Sequence, residues 1–376
     1  MNAYLDNSAT TPVSAEAILA MQQALQETWG NPSSRHALGL SAEEMLESAR
    51  AAIAEKLAAQ PEEITFTSGG TEANNLAVLG GAAAMRRRGN RVVITAVEHA
   101  SVYESAEHLS KLGYDVVRLP VDQYGRISED DLQRAITPGT ILVSVMAVNN
   151  ETGTCQPVDV VKRIIHANRA PALFHVDAVQ AFGKLPVRPA EIDADLLTVS
   201  GHKIHGPKGV GALYIRKGVT VLPRVFGGSQ EGKIRSGTEP LPAIAGFGAA
   251  ADNLPDLQTA FTHVSALRDH LVQGLQSLGD VVVNSPPDAL PHIVSFSVPG
   301  QKSEPMLNFL SQRGVYISSG SACSKGKPSR VLKAMNLAPR VLAGALRVSF
   351  THTSTMDEAD KLLWMLGEAM RTLIGQ

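Results

Sequence analysis

Short apolar runs of strand length recur through the first 215 residues of this chain, and amphipathic stretches of helical length lie between most of them. The runs are ITFT (64–67), VVIT (92–95), DVVRL (115–119), ILVSVM (141–146), LFHVD (173–177), LLTV (196–199) and VGALYI (210–215). TEANNLAVLGGAAAMRRR (71–88) and SVYESAEHLSKLG (101–113) are two of the intervening helical stretches. Strands of this kind, apolar almost throughout, must be covered on both faces. The alternation therefore predicts an α/β fold with a large domain built on a mainly parallel seven-stranded sheet covered by helices.

After residue 215 the pattern changes. GGSQEGKIRSGTEPLP (227–242) is a polar, glycine- and proline-rich loop of a length usually reserved for function. From Leu257 the apolar positions Leu257, Phe261, Val264, Leu267, Leu271, Leu275 and Leu278 step by three or four, one face of a helix of about six turns. Strand-like VVVN (281–284), IVSFSV (293–298) and LRVSF (346–350) then alternate with helices. With 376 residues, more than a single core usually serves, the expected division is a large domain over 1–255 and a smaller C-terminal α/β domain over 256–376, with residues 1–15 packing against the smaller one.

The bulk numbers exclude several classes of function. At 44% hydrophobic and 19% charged residues with a formal charge of -2, nothing favours direct nucleic-acid binding or a membrane. Two cysteines, Cys155 and Cys323, too far apart for a C-x-x-C dithiol, argue against a disulfide scaffold and fit a reducing compartment. The start, MNAYLDNSATTP, has no basic segment followed by an apolar one, so a cytoplasmic location is expected. No metal site is expected.

In open α/β sheets ligands bind beyond the carboxyl ends of the strands, and the polar residues there are informative. SGGTEANN (68–75) follows the first run; its glycine turn can present backbone N–H groups and the Thr71 hydroxyl to a phosphate, although on its own it reads more readily as a simple helix cap. His99 follows the second run, Asn149, Asn150 and Glu151 the fourth, Asp177 and Gln180 the fifth, and Ser200, His202 and Lys203 the sixth. Singly, each reads as a capping or packing group. Together they supply what a pyridine aldehyde cofactor requires: a carboxylate to keep a ring nitrogen protonated (Asp177), an imidazole for the ring face (His99), amides for the ring oxygen (Gln180, Asn150), donors for a phosphate (the glycine turn, Ser200, His202) and an amine for the aldehyde.

Two lysines compete for that last role in TVSGHKIHGPKG (198–209). Gly201 and Gly206 have the spacing of a P-loop, but Pro207 stands where its lysine must be. Lys203, beside Ser200 and His202, suits a Schiff base, whereas Lys208 decorates the turn.

These residues resemble the cysteine desulfurases of the NifS and IscS type, within the class V aminotransferases of PLP fold type I. The motifs run almost end to end: YLDNSATTP (4–12), GNPSSRHALG (30–39), FTSGGTEANN (66–75), EHAS (98–101), VNNETG (148–153), HVDAVQAFGKLP (175–186), SGHKIHGPKGVGALY (200–214), RSGTEP (235–240), SSGSACS (318–324) and LRVSF (346–350). The resemblance implies pyridoxal 5'-phosphate as cofactor, with Lys203 as Schiff-base lysine, Asp177 on the pyridine nitrogen, His99 stacked on the ring with a possible share in acid–base steps, Gln180 and Asn150 near the ring oxygen, and Gly70, Thr71, Ser200 and His202 on the phosphate. It further implies a homodimer in which Thr238 completes the phosphate site of the partner, and Arg347, assisted by Asn150, as the group that pairs with the substrate carboxylate.

What separates a desulfurase from an aminotransferase on this scaffold is Cys323, among small residues with Lys325 and Lys327 nearby, where a thiol can ionise. Cys155, in GTCQPV, reads as a packed residue. The expected reaction is conversion of L-cysteine to L-alanine, with a persulfide on Cys323 passed to a sulfur acceptor protein. Iron-sulfur cluster assembly and tRNA thiolation are both open as the destination of the sulfur, but the chain stops at MRTLIGQ without the longer, acceptor-docking tail of the housekeeping enzymes of this type, which weighs against an iron-sulfur scaffold and for tRNA thiolation or another dedicated acceptor. The alternatives are an aminotransferase or selenocysteine lyase on the same fold, favoured if Cys323 proved dispensable, and a non-catalytic scaffold protein that retains the cofactor site.

Overall fold

A computed structural model describes residues 2–319 and 329–373. The chain opens with a two-residue strand, β1 (Ala3–Tyr4), and then lays seven strands into one sheet: β2 (Ile64–Thr67), β3 (Arg91–Thr95), β4 (Asp115–Leu119), β5 (Thr140–Met146), β6 (Leu173–Asp177), β7 (Leu196–Ser200) and β8 (Gly211–Ile215). Their order is β2-β8-β7-β6-β5-β3-β4. β8 runs antiparallel to both its neighbours, so β2 points the same way as the five parallel strands on the other side. The carboxyl ends of six strands therefore share one edge.

Alternation along the strands sends side chains to two covering layers. Val93, Val143, Val145, Phe174, Val176, Leu197 and Val199 join the core beneath the helices Ala37–Leu57, Val158–Ala167 and Leu241–Asp252, whereas Val92, Ile94 and Leu142 pack on the opposite face with Val102, Ala106 and Leu109 of Ala100–Lys111. The helical stretch after β2 starts at Gly70 and runs to Met85 through a widened turn at Leu76–Gly80. A Cβ on Gly80 would stand 2.5 Å from the Leu222 carbonyl oxygen, so that turn needs glycine for the close approach.

The helix read from Leu257 spans Leu257–Ser277 and buries Val264, Leu267, Leu271 and Leu275, while Phe261 lies towards solvent. It shares a second core with Phe296, Leu346, Val348, Leu362 and Leu366. Four short strands belong here: β9 (Val282–Val283), β10 (Ile293–Ser297), β11 (Val315–Tyr316) and β12 (Ala345–Ser349). β12, β10 and β9 form an antiparallel sheet. VVVN yields only the two residues of β9, at the edge of that sheet. β11 pairs in parallel with β1, and Ala3 and Leu5 are buried in this second core.

The segment after β1 then crosses to the main sheet. Asn7 and Ser8 donate their N–H groups to Ser349. Farther on, Thr11 donates its N–H and its hydroxyl to the carbonyl of His202. Val97, Met146, Val331, Leu332, Met335 and Ala345 form a further cluster between the two bodies. Among the described residues no helix is long and apolar enough to cross a membrane.

Candidate active site

Six strand ends on one edge gather the polar residues. Asp177 closes β6 and is buried; its carboxylate accepts from Asn74 Nδ2 at 2.7 Å and from the Val179 N–H at 3.1 Å. Directly after β7, Gly201–Lys203 forms a single 3-10 turn. A Cβ on Gly201 would lie 3.1 Å from the Phe247 ring, so a small residue lets this turn close over the core. The turn carries the Lys203 amine, which donates to the carbonyls of Ser8 and Ala9, the latter at 2.7 Å. Lys208 is exposed on the following turn.

His99 caps the helix Ala100–Lys111: its Nδ1 accepts the Ser101 N–H at 3.2 Å and lies 2.8 Å from Ser101 Oγ. Burial holds its imidazole below the ordinary histidine range; Lys203 and Arg330 push the same way and Asp177 opposes them. His202 is brought down to about 4, by burial first and then by Lys203, Lys208, Lys184 and His99. Its Nδ1 stands 3.2 Å from Thr10 Oγ1. Both imidazoles are therefore neutral at physiological pH.

Just after β2, Gly69 takes a φ of +147°, a conformation that side chains rarely adopt, and among the described residues no side chain caps the helix start at Gly70. The first N–H groups of a helix have no intrahelical partner, and Thr71 is exposed beside them. Ser200 Oγ, at the end of β7, is buried and has no hydrogen-bond partner among the described residues. Gln180 donates from Nε2 to the Ser8 carbonyl at 3.0 Å and accepts from Lys184 Nζ at 3.2 Å. Arg347, in the middle of β12, is buried against Asp6 Oδ1 at 2.7 Å and the Asn150 carbonyl at 2.8 Å. The structure thus links Lys203 and Gln180 through Ser8, and Arg347 to Asn150.

Two expected residues stand apart from this group. Thr238 is exposed on its loop, and among the described residues it hydrogen-bonds to none of the others. Its loop is held from two sides: Glu231 receives Arg50 at 2.9 and 3.0 Å and the Phe66 N–H at 2.8 Å, and Arg235 pairs with Glu72 at 2.9 Å. Cys323 lies outside the described residues. Ser318 is bridged to Arg347 by backbone hydrogen bonds, and Ser329 Oγ donates to Glu151 Oε2. Cys155 is half-buried against the main core, and burial raises its thiol pKa.

Several residues of the site had no role assigned from sequence. Asn74 sits inside the TEANN motif, where the backbone N–H groups of the glycine turn and the Thr71 hydroxyl are the groups that read as chemical. Glu98, next to His99, is fully buried; its carboxyl is pushed up to about 8, by burial first and by Asp177, although the Met146 N–H and Thr95 hydroxyl donate to it. Lys184 is brought down to about 7 by burial, Lys203 and Arg347. Arg330 donates to the Ala96 and Glu98 carbonyls and stacks 3.9 Å over the Tyr103 ring. Adjacent charge in the sequence gives no sign of these long-range contacts.

The model of the class-V aminotransferase family matches residues 3–362. The chain belongs to that family, among the cysteine desulfurases of the NifS and IscS type. It is 40% identical over 374 residues to a relative named "Cysteine desulfurase IscS" from Methanosarcina thermophila, an alignment covering 98% of this chain and 92% of the relative. Among solved structures, one named "NIFS-LIKE PROTEIN" superposes with a TM-score of 0.94 at 38% identity, covering 99% of this chain and all of the other. Another, "SspA in complex with cysteine", gives a TM-score of 0.83 at 32% identity over 94% of this chain and all of that one.

Proposed function

We propose that this chain is a pyridoxal-phosphate-dependent cysteine desulfurase, which converts L-cysteine to L-alanine and leaves the sulfur as a persulfide on Cys323. The observation that carries this reading is the convergence of Lys203, Asp177 and His99 on one sheet edge, in a chain 40% identical to a named cysteine desulfurase. The site suits the cofactor on independent grounds. Among the described residues the buried Ser200 Oγ lacks a partner and no side chain caps the helix start at Gly70, whose N–H groups can donate to a phosphate, and Asp177 is an acceptor-only group at the sheet edge.

Lys203 would hold the aldehyde carbon, Asp177 the pyridine nitrogen and His99 the ring face. Gln180 and Asn150 would serve the ring oxygen, and Gly70, Thr71, Ser200, His202 and Thr238 from a second copy the phosphate. Bound there, the cofactor supplies an electron-accepting ring that makes the α-hydrogen of an amino acid acidic. The Lys203 amine, steered by the Ser8 and Ala9 carbonyls, moves that proton. Arg347, already holding the Asp6 carboxylate, binds the substrate carboxylate. The Cys323 thiolate attacks the substrate sulfur. Its S–S bond forms as the substrate C–S bond breaks, the carbon takes up a proton, and L-cysteine with the Cys323 thiol becomes L-alanine with the Cys323 persulfide.

The sulfur then passes to an acceptor protein of iron-sulfur assembly or tRNA thiolation. A homodimer is supported by apolar side chains left in solvent, Leu19, Leu25, Trp29 and Leu40 near the N-terminus and Phe226, 81% exposed, at the start of the Thr238 loop. Borohydride reduction of the yellow protein, followed by peptide mass analysis, tests the site: the cofactor should be fixed to Lys203. Fixation to Lys208, or no adduct, overturns the assignment.

A further inference from the structure

We infer that Asn74 and Ser101 are positioning residues that hold His99 as the neutral Nε2–H tautomer, so that His99 meets the reacting groups as a hydrogen-bond donor and not as a proton shuttle. The inference rests on the proposed place of His99 at the cofactor ring. A chain of hydrogen bonds connects Asp177 Oδ2 to Asn74 Nδ2 (2.7 Å), Asn74 Nδ2 to Ser101 Oγ (2.8 Å) and Ser101 Oγ to His99 Nδ1 (2.8 Å). All but His99 are buried.

The direction of each bond follows from what its members can do. An ionised carboxylate only accepts, so Asp177 turns the Asn74 amide with its NH2 inward. The discarded orientation is visible: Asn74 Oδ1 is buried and finds no donor among the described residues. Ser101 Oγ accepts from that amide, and its one hydroxyl hydrogen is left for His99 Nδ1. The Ser101 backbone N–H, which cannot rotate, points at the same Nδ1 at 3.2 Å in the capping contact of the helix Ala100–Lys111. Two donors on one ring nitrogen require its lone pair. The proton of neutral His99 therefore sits on Nε2, and the imidazolium could form only by displacing both donors.

The charges around the ring act on the same balance. Asp177 favours the imidazolium, while Lys203 and Arg330 disfavour it and burial weighs most against it; His202 is also within electrostatic reach. The shortest hydrogen bond of the Asp177 carboxylate goes to Asn74, which connects it to the ring through Ser101.

The test is nitrogen NMR of protein labelled with 15N-histidine, with and without pyridoxal phosphate, from pH 5 to 9, His99 being assigned by its loss in His99→Gln. A pyrrole-type Nε2 and a pyridine-type Nδ1 at pH 7 are expected in both states. In Ser101→Ala the protonation midpoint of His99 should rise by about one pH unit, the equivalent of one lost donor to Nδ1. A proton on Nδ1 at pH 7, or an unmoved midpoint in folded Ser101→Ala, overturns the inference; should that variant not fold, the wild-type spectrum decides. Failure of the functional reading is separate: it would show as absence of cofactor absorbance and of alanine, whatever the tautomer.

Discussion

Lys184→Met should stabilise the protein at neutral pH, an unusual outcome for a residue beside an active site. The Lys184 amine is buried, with only Gln180 Oε1 as hydrogen-bond partner among the described residues, at 3.2 Å, and burial with Lys203 and Arg347 brings it from 10.5 to about 7. Between those values the unfolded chain holds a proton that the folded chain lacks, so wild-type stability rises with pH by roughly 1.4 kcal/mol per pH unit through this window. Summed over the window the ceiling is about 5 kcal/mol, before relaxation around the charge lowers it. Methionine fills the same linear space without a charge but leaves the Gln180 carbonyl oxygen unpaired, at about 1–3 kcal/mol. A net gain of about 2 kcal/mol is expected near pH 7, shrinking towards pH 10 as the wild-type unfolded state also becomes neutral. Urea unfolding of both proteins at pH 7, 8.5 and 10, at fixed protein and cofactor concentration, measures it. A variant less stable at pH 7, or a difference that does not shrink with pH, refutes the reasoning.

Asp177→Asn should fold and bind cofactor yet turn over at least about a hundredfold more slowly, because an amide cannot hold a ring proton as a carboxylate does; near-normal kcat in the loaded variant contradicts this. Glu98, pushed up to about 8 from 4.5, keeps its proton in the folded state and loses it in the unfolded state between those values, so it makes stability fall as pH rises through that window. Glu98→Gln should flatten this fall with little effect on kcat at pH 7, read by unfolding at pH 5 and 7.5. Sedimentation should show dimers, and Phe226→Asp should shift them towards monomer with weaker cofactor binding; an active, cofactor-saturated monomer would remove Thr238 from the site.

The strand ends could be read from sequence because a parallel sheet leaves little choice: once β5, β6 and β7 are recognised as apolar runs, Asp177, Ser200 and Lys203 must share an edge. The helix Leu257–Ser277 was equally legible, since its buried residues keep a regular period. Residues 1–15 are expected against the smaller domain, but two-residue strands carry no period, so the pairing of β1 with β11, more than three hundred residues apart, was not legible, nor were the Ser8 and Ala9 carbonyls that receive Lys203. Lys184 stands in GKLP, a string that reads as a solvated turn; only the tertiary packing buries it. Glu231 was hidden for a related reason. A left-handed residue at φ 47° in a polar loop looks solvent-facing, yet its carboxylate is sealed against Arg50 and β2. Asn74 is invisible from spacing because its partner Asp177 is 103 residues away.

The central claim is that Cys323 takes the sulfur. Wild-type protein loaded with pyridoxal phosphate and given L-cysteine without reductant should yield, by peptide mass spectrometry, one extra sulfur on Cys323 and none on the half-buried Cys155, whose thiol burial keeps protonated. In parallel, Cys323→Ser should bind cofactor and L-cysteine normally but form no alanine. Equal persulfide on both cysteines, or undiminished alanine from Cys323→Ser, would contradict the account and favour an aminotransferase or lyase on the same scaffold.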